Sequence, residues 1–129
     1  MGEYRKMREA TMKAREAIFD FQYAEKMKSG LMIGTVLLEE LTSLKEEELT
    51  GGKKVLISYL EGLRGEIRIA ENVLGSGHYS DLDGKVMEVI GRIQMLQFSE
   101  AQRSFSEAIS LATTFCQSSM TFLMEKELI

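Results

Sequence analysis

The sequence predicts an all-α protein: an antiparallel up-and-down bundle of four to five helices, some of them long and continuous or kinked. None of the 129 residues is a proline, the residue that most readily interrupts a long helix. Several stretches place apolar residues three and four positions apart, which is the spacing of one helix face. No stretch shows the strict apolar–polar alternation that is typical of a half-buried strand.

The first half of the chain predicts two helices. Helix one is expected over about Glu3 to Lys28, and Ser29-Gly30 either ends it or bends it, because an interior glycine costs a helix only about 1 kcal/mol. Helix two is expected over about Leu31 to Leu49, with a stop at Thr50-Gly51-Gly52, because glycine readily adopts the left-handed C′ conformation. The predicted apolar stripes are Tyr4, Met7, Thr11, Ala14, Ile18 and Phe21 for helix one, and Ile33, Val36, Leu37, Leu41 and Leu44 for helix two.

Helix three, expected over about Lys53 to Leu74, carries the most regular heptad of the chain. Gly75-Ser76-Gly77 predicts its end. Gly62 and Gly65 lie within the heptad, where they weaken the helix, so we expect them to admit a closely packed neighbour. The heptad consists of Leu56, Leu60, Leu63, Ile67, Ala70 and Leu74.

The last third predicts either two helices or one. Ser80 is the expected N-cap of helix four. Ser99 and Gln102 resemble a capping box that starts a fifth helix, whereas the alternative is one uninterrupted helix from Asp81 to about Glu127. The stripes are Leu82, Val86, Val89, Ile93 and Leu96, followed by Phe105, Ala108, Ile109, Ala112, Phe115, Cys116, Ser119, Phe122 and Leu123.

Length and composition predict a single domain over residues 1–129. Apolar residues make up 44% and charged residues 28% of the chain, a balance that favours a folded globular protein. The longest uncharged run, Ala108 to Met124, is shorter than the roughly 20 residues of a membrane span. Cys116 is the only cysteine and no signal-peptide pattern opens the chain, so we expect a cytoplasmic protein without an internal disulfide.

The sequence offers no convincing catalytic or metal site. His78, with Asp81 and Asp83 nearby, is the only combination that could bind a metal or transfer protons. A single histidine cannot complete a zinc or di-iron set, and both aspartates suit the first turn of a helix. Nucleophile-elbow and phosphate-binding motifs are absent from the sequence. We therefore predict no enzymatic activity, no metal and no cofactor.

The C-terminal helix predicts a protein partner. Met120, Phe122, Leu123 and Met124 make this helix apolar nearly all round, which is typical of a helix shared with another chain. The predicted function is a non-catalytic protein–protein interaction module that self-associates, above all as a homodimer, or acts as an accessory subunit of a larger assembly.

The alternative function is a small all-α nucleic-acid-binding subunit. Residues 1–28 contain seven basic and five acidic residues, whereas the rest of the chain contains nine and fifteen. The net charge of the whole chain, −4, disfavours binding to nucleic acid. The residues that would contact the backbone phosphates are Arg5, Lys6, Arg8, Lys13 and Arg15.

Overall fold

The computed structural model describes residues 2–126, apart from the side chains of residues 4, 5 and 7–12. These residues form four helices and no strand, which confirms the all-α prediction. The helices are α1 (Gly2–Thr42), α2 (Glu46–Leu74), α3 (Ser80–Gln94) and α4 (Phe98–Glu125). In the described part of the chain, none of the helices combines the length and the apolar character needed to cross a membrane.

The helices α1 and α2 run in opposite directions: residues further along α2 contact residues nearer the start of α1. The Lys26 ammonium lies 2.9 Å from the Glu66 carboxylate. Closer to the connection, the Tyr59 hydroxyl donates a 2.6 Å hydrogen bond to the Gly30 carbonyl. The short connection after Thr42 therefore folds α2 back along α1.

Side-chain contacts also join the other three pairs of neighbouring helices, and Arg64 of α2 donates a hydrogen bond to Asp83 of α3. The Lys85 ammonium of α3 binds the Glu107 carboxylate of α4, and Ser119 of α4 meets Asp20 of α1. Among the described residues each helix packs on two others, in the order α1, α2, α3, α4 and back to α1. The apolar core lies inside this ring, with the fully buried side chains of Met27, Leu38, Leu60, Ile67, Val89, Ile93 and Phe105.

The predicted break at Ser29-Gly30 does not occur, because α1 is one helix of 41 residues. The glycines there serve packing between helices. A Cβ atom on Gly30 would lie 2.7 Å from Leu63 Cδ2, and one on Gly34 would lie 2.8 Å from Phe105 Cε1. Both distances are below van der Waals contact, so an added side chain would force Leu63 or the buried Phe105 ring to shift.

The predicted stop at Thr50-Gly51-Gly52 is also wrong, because these residues lie inside α2. The turn comes earlier, between Thr42 and Glu46. A Cβ atom on Gly52 would lie 2.6 Å from Leu44 Cδ1, so this glycine makes room for the turn that precedes it. The heptad of helix three is confirmed from Leu56 to Ala70. Gly62 and Gly65 do not act as predicted, since an added Cβ would meet nothing within 4 Å.

Two further turns close the bundle. The Gly75-Ser76-Gly77 stop is confirmed, and both glycines adopt positive φ, +117° and +82°. Ser80 is the first residue of α3 rather than its N-cap. The uninterrupted helix from residue 81 is excluded by a turn at 95–97, where Leu96 has a φ of +60°. Ser99 falls inside α4, which begins at Phe98, so the predicted capping box does not form its start.

Candidate functional site

Several large apolar side chains of α1 point to solvent instead of the core. Ile33 is 53% exposed and Val36 is 56% exposed, and Leu37 is exposed as well. The stripe predicted for helix two is therefore wrong at these positions, and only Leu41 of that stripe is buried. The face that packs in the bundle is formed by Ala24, Met27, Leu31, Leu38 and Leu41, with Gly30 and Gly34.

The exposed residues belong to one continuous surface, which we call the outer face of α1. At about 3.6 residues per turn, residues 18 positions apart lie on the same side of a helix. Ile18 and Phe19 thus share a side with Val36 and Leu37, five turns later, and all four are exposed. The outer face consists of Arg15, Ile18, Phe19, Gln22, Lys26, Ser29, Ile33, Val36, Leu37 and Glu40 of α1, with Leu44 in the turn that follows, all of them exposed.

The outer face ends in an apolar cavity of about 260 Å³ between α1 and α2. Gly52 leaves space there beside Leu44, and Val55 at its edge is 70% exposed. Further along α2, Ile69 and Val73 are exposed as well. The cavity is lined by Leu37, Glu40, Leu41, Leu44, Gly52, Val55 and Leu56. This corner has the size and chemistry to accept an apolar side chain of a partner.

A second feature is a polar cluster around Asp20, on the opposite side of α1. The Tyr79 hydroxyl donates to Asp20 Oδ1 over 2.5 Å and the Ser119 hydroxyl donates to Asp20 Oδ2 over 2.7 Å. His78 Nε2 lies 3.0 Å from Asp20 Oδ1. Tyr79 is fully buried, and this burial, with the Asp20 carboxylate beside it, raises the pKa of its phenol far above the ordinary value. One carboxylate thus ties α4 and the α2–α3 turn to α1.

A cavity of about 390 Å³ adjoins this cluster. Both carboxylate oxygens of Asp20 already accept hydrogen bonds from protein groups. The Ser119 hydroxyl donates to that carboxylate, so the histidine and the serine do not form the pair that activates a nucleophile. The arrangement therefore fastens three elements together. Its lining residues are Lys13, Glu16, Ala17, Asp20, Leu74, His78, Ser118, Ser119 and Phe122.

His78, Asp81 and Asp83 are close in sequence as a candidate metal or proton-transfer site, but the fold separates their side chains. His78 binds Asp20, whereas Asp83 accepts hydrogen bonds from Arg64 Nε and Nη2 at 2.9 and 3.2 Å. This contact raises the pKa of the Arg64 guanidinium. Asp81 is exposed. Over the described residues, no three His, Cys, Asp or Glu side chains come together as a metal site.

The four residues predicted as a partner interface on α4 do not share one surface. Leu123 is only 3% exposed, whereas Met124 is 62% exposed. Phe122 lines the cavity beside Asp20, and Met120 lines a separate cavity of about 320 Å³ with Cys116. Burial raises the pKa of the Cys116 thiol to about 11. Met124 is thus the residue of this group that is most open to a partner.

The basic residues of the nucleic-acid alternative lie on the first third of α1. Lys6, Lys13 and Arg15 are exposed. The side chains of Arg5 and Arg8 lie outside the described residues. Lys13 lines the cavity beside Asp20, whereas Arg15 lies at the start of the outer face, so these two point in different directions.

The comparisons with known proteins give no family: the chain matches no family model, no curated protein and no solved structure.

Proposed function

We propose that this chain is a non-catalytic helical interaction protein that associates with itself, above all as a dimer, or serves as an accessory subunit of a larger assembly. The outer face of α1 is the proposed contact surface. The observation that carries the proposal is the exposure of Ile33, Val36 and Leu37 on a helix whose opposite face is already buried. A Leu, Ile or Val side chain gains about 1.5–3 kcal/mol on full burial, and these three residues are still 37–56% exposed.

The surroundings of these residues support an interface. Isolated exposed apolar side chains are common, but a contiguous patch is characteristic of a contact site. The outer face continues into the apolar cavity at Gly52 and Val55 without a break. A partner side chain placed in this cavity would give the contact a buried anchor, and such anchors contribute most of the binding energy of protein interfaces.

The test compares two glutamate substitutions at matched exposure. Val36→Glu adds a charge to the outer face, and Met87→Glu adds the same charge on α3, where the side chain is 51% exposed. In the described structure α1 and α3 do not pack on each other. We expect wild type and Met87→Glu to sediment as concentration-dependent oligomers, and Val36→Glu to sediment as a monomer with an unchanged helical circular-dichroism spectrum. A wild-type chain that is monomeric at every concentration would contradict self-association, and equal behaviour of the two variants would contradict this surface.

The proposed location is the cytoplasm. Cys116 is a free, buried thiol and the only cysteine of the chain, which suits a reducing compartment. Fractionation of the cells that produce the protein, with detection by a specific antibody, tests this location.

A further inference from the structure

The outer face of α1 carries opposite charges at its two ends. Arg15 lies at one end and Glu40 at the other, and both are exposed. They are 25 positions apart, which is about seven helical turns, so they lie on the same side of the helix. The wider sequence follows this polarity, because residues 1–28 hold seven basic and five acidic residues, whereas residues 29–50 hold one lysine and five glutamates.

The apolar residues of the outer face are also arranged in two groups. Ile18 and Phe19 form one group near the basic end, and Val36 and Leu37 belong to the other near the acidic end. Between them lie the exposed side chains of Gln22, Lys26 and Ser29, and the charge of Lys26 is already paired with Glu66 of α2. A surface with this order is complementary to a copy of itself that runs in the opposite direction.

From this we infer that the occupant of the outer face is the same face of a second copy of this chain, packed antiparallel with Arg15 of each copy opposite Glu40 of the other. The inference rests on the proposed function and deepens it, because it names the partner and the orientation. With Arg15 opposite Glu40, Ile18 lies opposite Leu37 and Phe19 opposite Val36. The arrangement has twofold symmetry, so each of these pairs forms twice.

A parallel pair also brings apolar residues together, but it does not match the charges. It would place Arg15 beside Arg15 and Glu40 beside Glu40, and like charges in contact oppose association. It would also set the net basic segment 1–28 against its own copy. The antiparallel pair is the one that matches charge and apolar surface together.

The size of the contact sets the expected strength. The segment from Arg15 to Glu40 is about 38 Å long at about 1.5 Å per residue, and a helix presents a strip about 10 Å wide. Two such strips together bury on the order of 800 Å², which is below the roughly 1,200 Å² of a standard specific interface and is typical of a weak, transient contact. We therefore expect a reversible dimer in the micromolar range, in which two extra ion pairs have a measurable effect.

The test is a charge-reversal cycle on the whole chain, read as the dimer dissociation constant from sedimentation. Arg15→Glu and Glu40→Arg each create like-charged contacts twice in the dimer, and we expect each to weaken it about three- to tenfold. The double variant Arg15→Glu/Glu40→Arg forms the ion pairs in reverse, so its dissociation constant returns to near the wild-type value. The matched control is the pair of reversals Glu100→Arg and Arg103→Glu at exposed positions of α4, which leave dimerisation unchanged.

The outcomes separate this inference from the function on which it rests. If the wild type dimerises and Val36→Glu abolishes the dimer, but the double variant stays as weak as the single ones, the antiparallel arrangement is overturned and the contact surface stands. If the single reversals have no effect on such a dimer, the arrangement is likewise overturned. If the wild type is monomeric at all concentrations, or binds only a different protein through this face, the second copy is excluded as the occupant.

Discussion

Replacing Asp20 with alanine is expected to destabilise the bundle more than any exposed substitution. The carboxylate accepts hydrogen bonds from the Tyr79 and Ser119 hydroxyls, and both of these residues are buried. In Asp20→Ala the Ser119 hydroxyl loses its acceptor, whereas the Tyr79 hydroxyl keeps a longer contact of 3.3 Å with the Asp20 backbone carbonyl. A buried polar group left without a partner costs about 1–3 kcal/mol, so the full cost at Ser119 and part of it at Tyr79 predict a loss of about 1–4 kcal/mol. His78 adds little, because its partly exposed ring can hydrogen-bond to water instead.

This loss is a large part of the stability of the protein, because the free energy of unfolding of a domain is only about 5–15 kcal/mol. The assay is urea denaturation followed by circular dichroism at 222 nm, for the wild type, Asp20→Ala and a control, Asp81→Ala, whose side chain is exposed. We expect the control to lower the free energy of unfolding by no more than about 1 kcal/mol, because the Asp81 carboxylate lies at the positive end of the α3 dipole.

A second pair of variants isolates the cause. Tyr79→Phe removes one of the two hydroxyl donors. In the double variant Asp20→Ala/Tyr79→Phe, only the Ser119 hydroxyl has lost its carboxylate acceptor. The double variant is therefore expected to lose less than the sum of the single losses. Strict additivity, or a loss below about 1 kcal/mol in Asp20→Ala, would refute the assignment of Asp20 as the fastening residue.

Other substitutions test the packing. Gly62→Ala is expected to stabilise the protein by about 0.5–1 kcal/mol, because its Cβ meets nothing within 4 Å, and a thermal-melting shift measures this. Gly30→Ala is expected to destabilise it, because the added Cβ would lie 2.7 Å from Leu63 Cδ2; equal effects of the two alanines would contradict the close approach of α1 and α2. Cys116 should react slowly with iodoacetamide near neutral pH, because burial raises the pKa of its thiol to about 11 and the thiolate is the reactive form. The reaction should speed up as the pH rises toward that value or when the chain is unfolded in urea, and rapid labelling of the native protein at neutral pH would show the thiol to be accessible.

The sequence predicts most of the fold wherever a helix has one apolar stripe. In α2 and α3 the residues spaced three and four apart are buried almost without exception, because there is only one way to place such a stripe in a bundle. In the second half of α1 the pattern fails, since apolar residues occupy two sides of the helix. The larger residues Ile33 and Val36 form the more obvious stripe, but the positions without side chains, Gly30 and Gly34, decide which side packs.

The Asp20 cluster could not be predicted from local pattern. Its partners lie 58, 59 and 99 positions away in the chain, and an aspartate in a helix next to aromatic residues looks like any solvated charge. The signal that existed was indirect: Tyr79 and His78 sit in a short turn between two strong helices, so their side chains must pack on whichever helix lies nearest. Knowing which helix that is requires the order of the bundle.

The distribution of small and large residues between the two faces of α1 is the strongest argument for an interface. Its packed face admits neighbours through Ala24, Gly30 and Gly34, none of which has a large side chain. Its outer face instead holds Ile33 and Val36, and the half of their surface that water still covers contributes nothing to folding. A helix that served only its own bundle would be better built with polar residues there, because exposed β-branched residues also lower helix propensity. The exposed stripe is what a helix that buries this face against a partner requires, and in the proposed dimer an antiparallel copy of α1 would cover it with opposite charge at both ends.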